Sequence, residues 1–218
     1  MHGYFVTGTD TGVGKTFVTC ALLHAARAAG LAAVGMKPVA AGVDSQGRNE
    51  DVERLIAAGS FAAPRELVNP HCFAAPVAPH IAAAREGRAI DLTAIRDAFE
   101  RLSAQADLVL VEGVGGFLVP LDGKHDTGDL AVRLNLPVIL VVGLRLGCLN
   151  HALLTAEAIR ARGLALSGWV ANGIDPAMAC REENIAALEE RLDAPLLGTL
   201  PTLEQPADAA PLLNFPLS

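Results

Sequence analysis

Paired cysteines, aromatic-rich stretches, basic runs and long apolar spans are all missing from this chain, and each absence removes a class of function. The four cysteines, Cys20, Cys72, Cys148 and Cys180, lie far apart with no Cys-x-x-Cys spacing, which excludes zinc-finger and dithiol redox motifs and leaves reduced thiols as the expectation. The six histidines show no metal-ligand spacing and are expected in surface or structural roles. Aromatic residues are 4% of the 218 positions while Ala, Val and Leu abound, a balance suited to a buried parallel sheet under helices rather than to a β-sandwich. Acidic residues outnumber basic ones, the net charge is −7 and no basic run occurs, so the counterion-releasing surface that nucleic acid requires is lacking. The longest apolar run, 136–144, is interrupted by Pro137 and Gly143 and falls far short of the about 20 residues of a membrane span. The first residues lead directly into an apolar strand without a signal-peptide pattern, so a cytoplasmic location is expected.

What is present alternates. Short apolar runs at 4–7, 34–39, 107–112, 137–142, 168–172 and 195–200 read as strands. Helical patterns fill 15–29, 51–58, 91–105, 126–134, 150–162 and 181–192, several with an N-cap acid or a closing glycine. This order predicts one α/β domain over 1–218, a doubly wound, mostly parallel sheet with helices on both faces. The proline-bearing stretch 69–80 is expected to be an irregular, ordered loop beside the site, and 201–218 to wrap the surface as loop and short turns. In such sheets ligands gather at the carboxyl ends of the strands, which directs attention to the residues following each one.

After the first strand come Gly8-Thr9-Asp10-Thr11-Gly12-Val13-Gly14-Lys15-Thr16, opening an alanine-rich helix at Phe17 and beyond. This is a phosphate-binding loop of P-loop NTPase type. Its glycines turn backbone N–H groups toward a polyphosphate, Lys15 can reach β- and γ-phosphates, and the Thr16 hydroxyl suits Mg²⁺. ATP or GTP is therefore the expected ligand. The loop is a variant, since the glycine that usually stands five positions before Gly14 is replaced by Thr9, with Gly8 one step earlier.

Other strand ends supply the remaining chemistry. Glu112 closes the apolar run Leu108-Val109-Leu110-Val111 and precedes Gly113-Val114-Gly115-Gly116; a carboxylate buried there needs a compensating positive charge, for which Mg²⁺ is the natural source. Asp51, at the head of a helix, reads either as a second metal ligand or as that helix's N-cap. Lys37 ends the second strand in a chain with few lysines and would converge with Lys15 on one phosphoryl group, an electrostatic task. Asn150 follows Gly147, Cys148 and Leu149 and reads as the N-cap of the next helix, whose free N–H groups offer a possible carboxylate site.

These segments in their order, Tyr4-Phe5-Val6-Thr7 through Thr16, Lys37-Pro38-Val39-Ala40, Val111-Glu112-Gly113, Gly147-Cys148 with Asn150-His151, and Gly168-Trp169-Val170-Ala171-Asn172, resemble the dethiobiotin synthetase family from the first strand to about Pro201. The resemblance implies ATP-dependent carboxylation and ring closure of 7,8-diaminopelargonic acid with CO₂, giving dethiobiotin, ADP and phosphate through a phosphorylated carbamate. It implies that Thr16, Asp51 and Glu112 hold Mg²⁺ while Gly12, Val13, Gly14, Lys15, Thr16 and Phe17 cradle the triphosphate, with Gly113, Val114 and Gly115 alongside. Lys15 and Lys37 would stabilise carbamate and phosphoryl oxygens. Thr11 and Ala41 would touch the substrate, and Asn172, Gly173, Pro201, Thr202 and Leu203 would meet the adenine. It further implies a homodimer in which Gly147, Cys148 and Asn150 of one subunit receive the carboxylate of the diamine bound in the other. Three positions depart from the family pattern: Gly12 where an acid is frequent, Ala41 where a serine is, and Gly173 where a more polar residue is. The hydroxyl missing at Ala41 is worth about 0.5–1.5 kcal/mol, so weaker diamine binding is expected rather than a different reaction.

Two rival readings lack their signatures. A partitioning ATPase carries an additional lysine early in the loop, where Thr9 and Asp10 stand here, and a GTPase needs an Asn-Lys-x-Asp motif that the chain does not contain. An amidating synthetase with a glutamine-hydrolysing domain would need more chain than is available. On this reading Lys37→Ala is expected to fold normally and lose product formation.

Overall fold

Residues 2–214 are described by a computed structural model. Six parallel strands form the central sheet in the order β2-β5-β1-β6-β7-β8, with β1 at His2–Gly8, β2 at Ala33–Met36, β5 at Leu108–Glu112, β6 at Val138–Gly143, β7 at Leu166–Asn172 and β8 at Leu196–Leu200. The two other strands, β3 at Val39–Ala41 and β4 at His71–Phe73, pair parallel in a small sheet of their own.

Alternate residues of the buried strands feed opposite faces, which is why the strand centres are continuously apolar rather than apolar at every second residue. Tyr4, Val6, Leu110, Ile139 and Val141 meet α1, Lys15–Ala28, on one face. On that side α1 also packs against α2 (Glu50–Ala58) and α9 (Pro206–Ala209), the latter running into a 3₁₀ turn at Ala210–Leu212. Phe5, Val109 and Val111 point the other way, toward Ile95 and Leu102 of α5 (Leu92–Ser103) and Leu130 of α6 (Thr127–Leu134). Farther along, Leu140, Val142 and Trp169 lie under α7 (Cys148–Ala161) and α8 (Arg181–Glu189). Each such large side chain taken fully out of water stabilises the fold by about 1.5–3 kcal/mol. The shorter α4 (Pro79–Arg85) flanks the small sheet, while α3 (Arg65–Val68) packs against α5, α2 and β2.

Several boundaries expected from sequence shift for local reasons. The second strand does not run through 34–39 but ends at Met36 and resumes as β3, because Pro38 has no N–H for the ladder and restricts Lys37 before it. The stretch 69–80 is not wholly irregular: Pro70 precedes β4 without entering it, and Pro79 starts α4 at a position where its missing N–H costs nothing. Asn49, not Asp51, caps α2, its side chain accepting from the Val52 N–H at 3.2 Å. Helix α7 begins at Cys148 after Gly147 (φ +94°), so Asn150 lies inside the first turn and is not its cap. Of the expected C-terminal loop, 206–212 is helical and 215–218 lie outside the described residues.

Candidate functional site

The loop between β1 and α1 is shaped by two glycines for different reasons. Gly14 has φ +87° and lies so near Asn172 that a β-carbon would come within 2.2 Å of the Asn172 Nδ2. Gly8 has no unusual backbone angle; a β-carbon there would strike Val13 Cγ2 at 2.6 Å and Lys15 Cγ at 2.9 Å. The displaced glycine of this variant loop is thus required by crowding under the loop, while Thr9 joins the sheet end through its N–H to the Val141 carbonyl at 3.0 Å. Asn172, from the end of β7, donates to the Val13 carbonyl at 2.9 Å and holds the loop's far side. No side chain caps α1, which leaves its N-terminal dipole facing the loop.

Four elements converge below that loop. Glu112, fully buried at the end of β5, accepts from Thr16 Oγ1 at 2.8 Å and from Lys37 Nζ at 2.5 Å, both on its Oε1. Its Oε2 is buried without a partner among the described residues. Lys37 also donates to Asp51 Oδ2 at 3.0 Å and to the Gly113 carbonyl at 3.3 Å. Its own backbone is fixed by Asn69, whose amide donates to the Lys37 carbonyl at 2.6 Å. Because Asn49 takes the cap of α2, the Asp51 carboxylate is free to face Lys37. The oxygen atoms of Thr16, Asp51 and Glu112, with an orphaned buried carboxylate oxygen among them, fit a hard divalent cation such as Mg²⁺. Among the described residues, no group of three or more His, Cys, Asp or Glu side chains is arranged to hold a metal ion on its own.

The two lysines are charged in different ways. Burial works against the Lys37 ammonium, but Glu112 and Asp51 outweigh it and hold the group above the ordinary lysine range. Asp51 is likewise opposed by burial yet held below the usual carboxylate range, first by Lys37. Lys15 is pushed down to about 8 by burial and then by the nearby Lys37. Its ammonium donates to the Asp10 carbonyl at 2.9 Å.

These groups open into a cleft of about 720 Å³. It is lined by Thr11, Gly12, Gly14, Thr16 and Phe17 on the loop side, by Lys37, Asp51 and Glu112 at its floor, and by Ala40, Ala41, Val77, Val114, Gly115 and Val119 along an apolar wall. Gly113 lies just beneath, reached by Lys37. Gly173, Thr202 and the end of β8 form a second cluster beyond Asn172: Thr202 Oγ1 donates to the Gly173 carbonyl at 2.9 Å and the Gly173 N–H to Leu200 at 2.8 Å. Pro201 is exposed next to it, and Leu203 packs against the α1 side of the core. Gly147, Cys148 and Asn150 are outside the cleft, at the start of α7, with Cys148 buried and Asn150 exposed. Sequence reading overlooked Asn49 and Arg54, which line the cleft, and Asn69, which fixes Lys37. The Asn-Glu-Asp triplet at 49–51 carried a signal for Asn49, as a capping residue one turn before Val52.

A family model described as an AAA domain matches residues 2–210. Among solved structures, the MinD cell division protein of Aquifex aeolicus superposes with a TM-score of 0.56 at 16% identity, over 98% of this chain and 86% of that one, a likeness of fold. Among curated proteins, the ATP-dependent dethiobiotin synthetase BioD of Aromatoleum aromaticum is 60% identical over 99% of this chain and 98% of its own length. The protein of the same name from Nitrosospira multiformis is 60% identical over 98% and 93%. By 60% identity over nearly the whole of both chains, this chain belongs to the ATP-dependent dethiobiotin synthetase family.

Proposed function

We propose that this cleft carries out the ATP-driven carboxylation and ring closure of 7,8-diaminopelargonic acid to dethiobiotin, a ligase reaction of biotin biosynthesis. One observation carries the reading: Lys15 at the start of α1 and Lys37 just after β2 meet the oxygen-bearing side chains of Thr16, Asp51 and Glu112 at the foot of a phosphate loop, beside an apolar wall. In the reaction one amine of the substrate captures CO₂ and loses a proton, leaving a carbamate. A carbamate oxygen attacks the γ-phosphorus of ATP, ADP leaves, and a carbamic–phosphoric mixed anhydride remains. The second amine attacks its carbonyl carbon, phosphate departs, and the five-membered urea closes with loss of a proton.

Thr16, Asp51 and Glu112 would hold Mg²⁺, which when bound supplies neutralising charge at the β- and γ-phosphates. Lys37, fixed by Asn69 and by both carboxylates, presents an ammonium where carbamate and phosphoryl oxygens gain charge, with little reorganisation as the reaction proceeds. Lys15 presents a second. Thr11 and Ala41, with Ala40, Val77 and Val119, would receive the aliphatic chain of the diamine. The cluster of Asn172, Gly173, Pro201, Thr202 and Leu203 would take the adenine. The start of α7, which no side chain caps, would receive the substrate carboxylate across a homodimer interface, a reading supported by the exposure of Leu146 (96%) and Leu154 (57%) on that segment. The 218-residue chain would act as one domain in the cytoplasm; none of its described helices is long and apolar enough to cross a membrane.

The test is phosphate release from Mg²⁺-ATP with and without the diamine and bicarbonate, the organic product being followed by mass. Dethiobiotin formed in step with phosphate, only with both substrates present, supports the reading. Phosphate release indifferent to the diamine would overturn it in favour of a plain ATPase.

A further inference from the structure

Lys15 belongs to the phosphate loop, but what holds it comes from a distant part of the chain. Arg145, in the segment between β6 and α7, donates through Nη2 to Asp10 Oδ2 at 2.6 Å across 135 positions of sequence. The other oxygen of Asp10, Oδ1, accepts from the Thr11 N–H at 2.7 Å. The main-chain carbonyl of the same residue receives the Lys15 ammonium at 2.9 Å. Asp10 is therefore gripped at both carboxylate oxygens, and its carbonyl is thereby aimed at Lys15. The neighbouring residue Leu144 is itself anchored, its N–H donating to the Asn172 carbonyl at 2.8 Å, so Arg145 projects from a fixed point on the sheet.

We propose that Arg145 is a positioning residue for Lys15: by clamping the Asp10 carboxylate it fixes the carbonyl on which the lysine ammonium rests, and so links the β6–α7 segment to the phosphate loop. The pair does not serve stability. Its side chains are 40% and 48% exposed, and ion pairs that open to solvent contribute little to folding. Its consequence is geometric, because a phosphoryl-contacting group displaced by about 1 Å can lose up to about 100-fold in rate. The guanidinium makes a single contact with the carboxylate, so an ammonium on a long stem can replace it.

The chain has three lysines, Lys15, Lys37 and Lys124, so protein labelled with ¹³C at the lysine Cε shows three side-chain signals by NMR, assignable through Lys15→Arg. In the nucleotide-free protein at one fixed pH, Arg145→Ala is expected to move the Lys15 signal and leave those of Lys37 and Lys124 in place. Arg145→Lys is expected to restore it, and Asp10→Asn, which keeps an acceptor for the Thr11 N–H, to reproduce the Arg145→Ala shift. The turnover arm rests on the proposed function: kcat for dethiobiotin should fall about tenfold in Arg145→Ala and recover in Arg145→Lys, with the thermal midpoint unchanged. An unmoved Lys15 signal in both Arg145→Ala and Asp10→Asn would overturn the proposal, as would a shift of all three lysines together, which marks general loosening. The spectra need no turnover, so an inactive wild-type protein would count against the function while the signals still decide the role of Arg145.

Discussion

Lys37 and Lys15 lie in one cleft, both buried, and are held in opposite ways. Lys37 has two carboxylates and a pinned backbone, so its charge is satisfied by the protein before any ligand arrives. Lys15 rests on a neutral carbonyl, with burial and its neighbour Lys37 together pushing it down to about 8. One ammonium belongs to the fold as much as to the site; the other is kept short of negative charge, a deficiency that a triphosphate would fill. Burial alone thus says little about a lysine, and the partner decides whether it is structural, reactive or both.

The largest expected effect comes from breaking the satisfied side. Lys37→Ala should lower dethiobiotin formation by about 100-fold or more, since one preorganised charge at the transition state is worth about 3 kcal/mol. The structure revises the sequence-based expectation that this variant folds normally. Glu112 would be left buried beside an empty site, at a cost of about 3–5 kcal/mol, read as a lower midpoint in chemical denaturation. Adding Glu112→Gln to Lys37→Ala should recover much of that stability and none of the activity.

A smaller effect should mark the unsatisfied side. Because the free Lys15 is already partly neutral near pH 8, and a bound triphosphate favours its charged form, nucleotide binding should raise its pKa and take up a proton as pH rises above about 8. Calorimetry of ATP binding in buffers of different ionisation enthalpy reads this directly: uptake approaching one proton at pH 9, little at pH 7, and affinity falling as the pH rises. Arginine at position 15, which stays charged throughout, should abolish that uptake. The smallest effect is at the wall beside Lys37, where Ala41→Ser should lower the KM for the diamine by about two- to tenfold, the worth of one hydrogen bond, with kcat nearly unchanged.

The central sheet could be read from local pattern because β6 and, up to Glu112, β5 are uninterrupted apolar runs buried on both faces, and β1 has the apolar centre Tyr4-Phe5-Val6. The phosphate loop was equally plain, since its chemistry sits in consecutive residues. Less plain were features decided by competition between neighbours. Asn49 and Asp51 could each cap α2, and only the fold shows that Asn49 wins and leaves Asp51 to face Lys37. At α7, a left-handed Gly147 starts the helix before Asn150 can cap it. The small sheet is too short and too alanine-rich at Val39–Ala41 to announce itself. Pairings such as Arg145 with Asp10, or Asn69 with the Lys37 carbonyl, depend on where the chain returns in space and leave no local trace.

The measurement that tests the account most directly is the fate of carbon dioxide oxygen. With ¹⁸O-labelled CO₂ mixed rapidly with enzyme, diamine and Mg²⁺-ATP, before the label exchanges with water, each released phosphate should carry one labelled oxygen. That oxygen is the carbamate oxygen that attacked the γ-phosphorus and stayed with it when the ring closed. Phosphate carrying no label, while dethiobiotin still forms, would contradict the claim that the two lysines act on a carbamate in phosphoryl transfer.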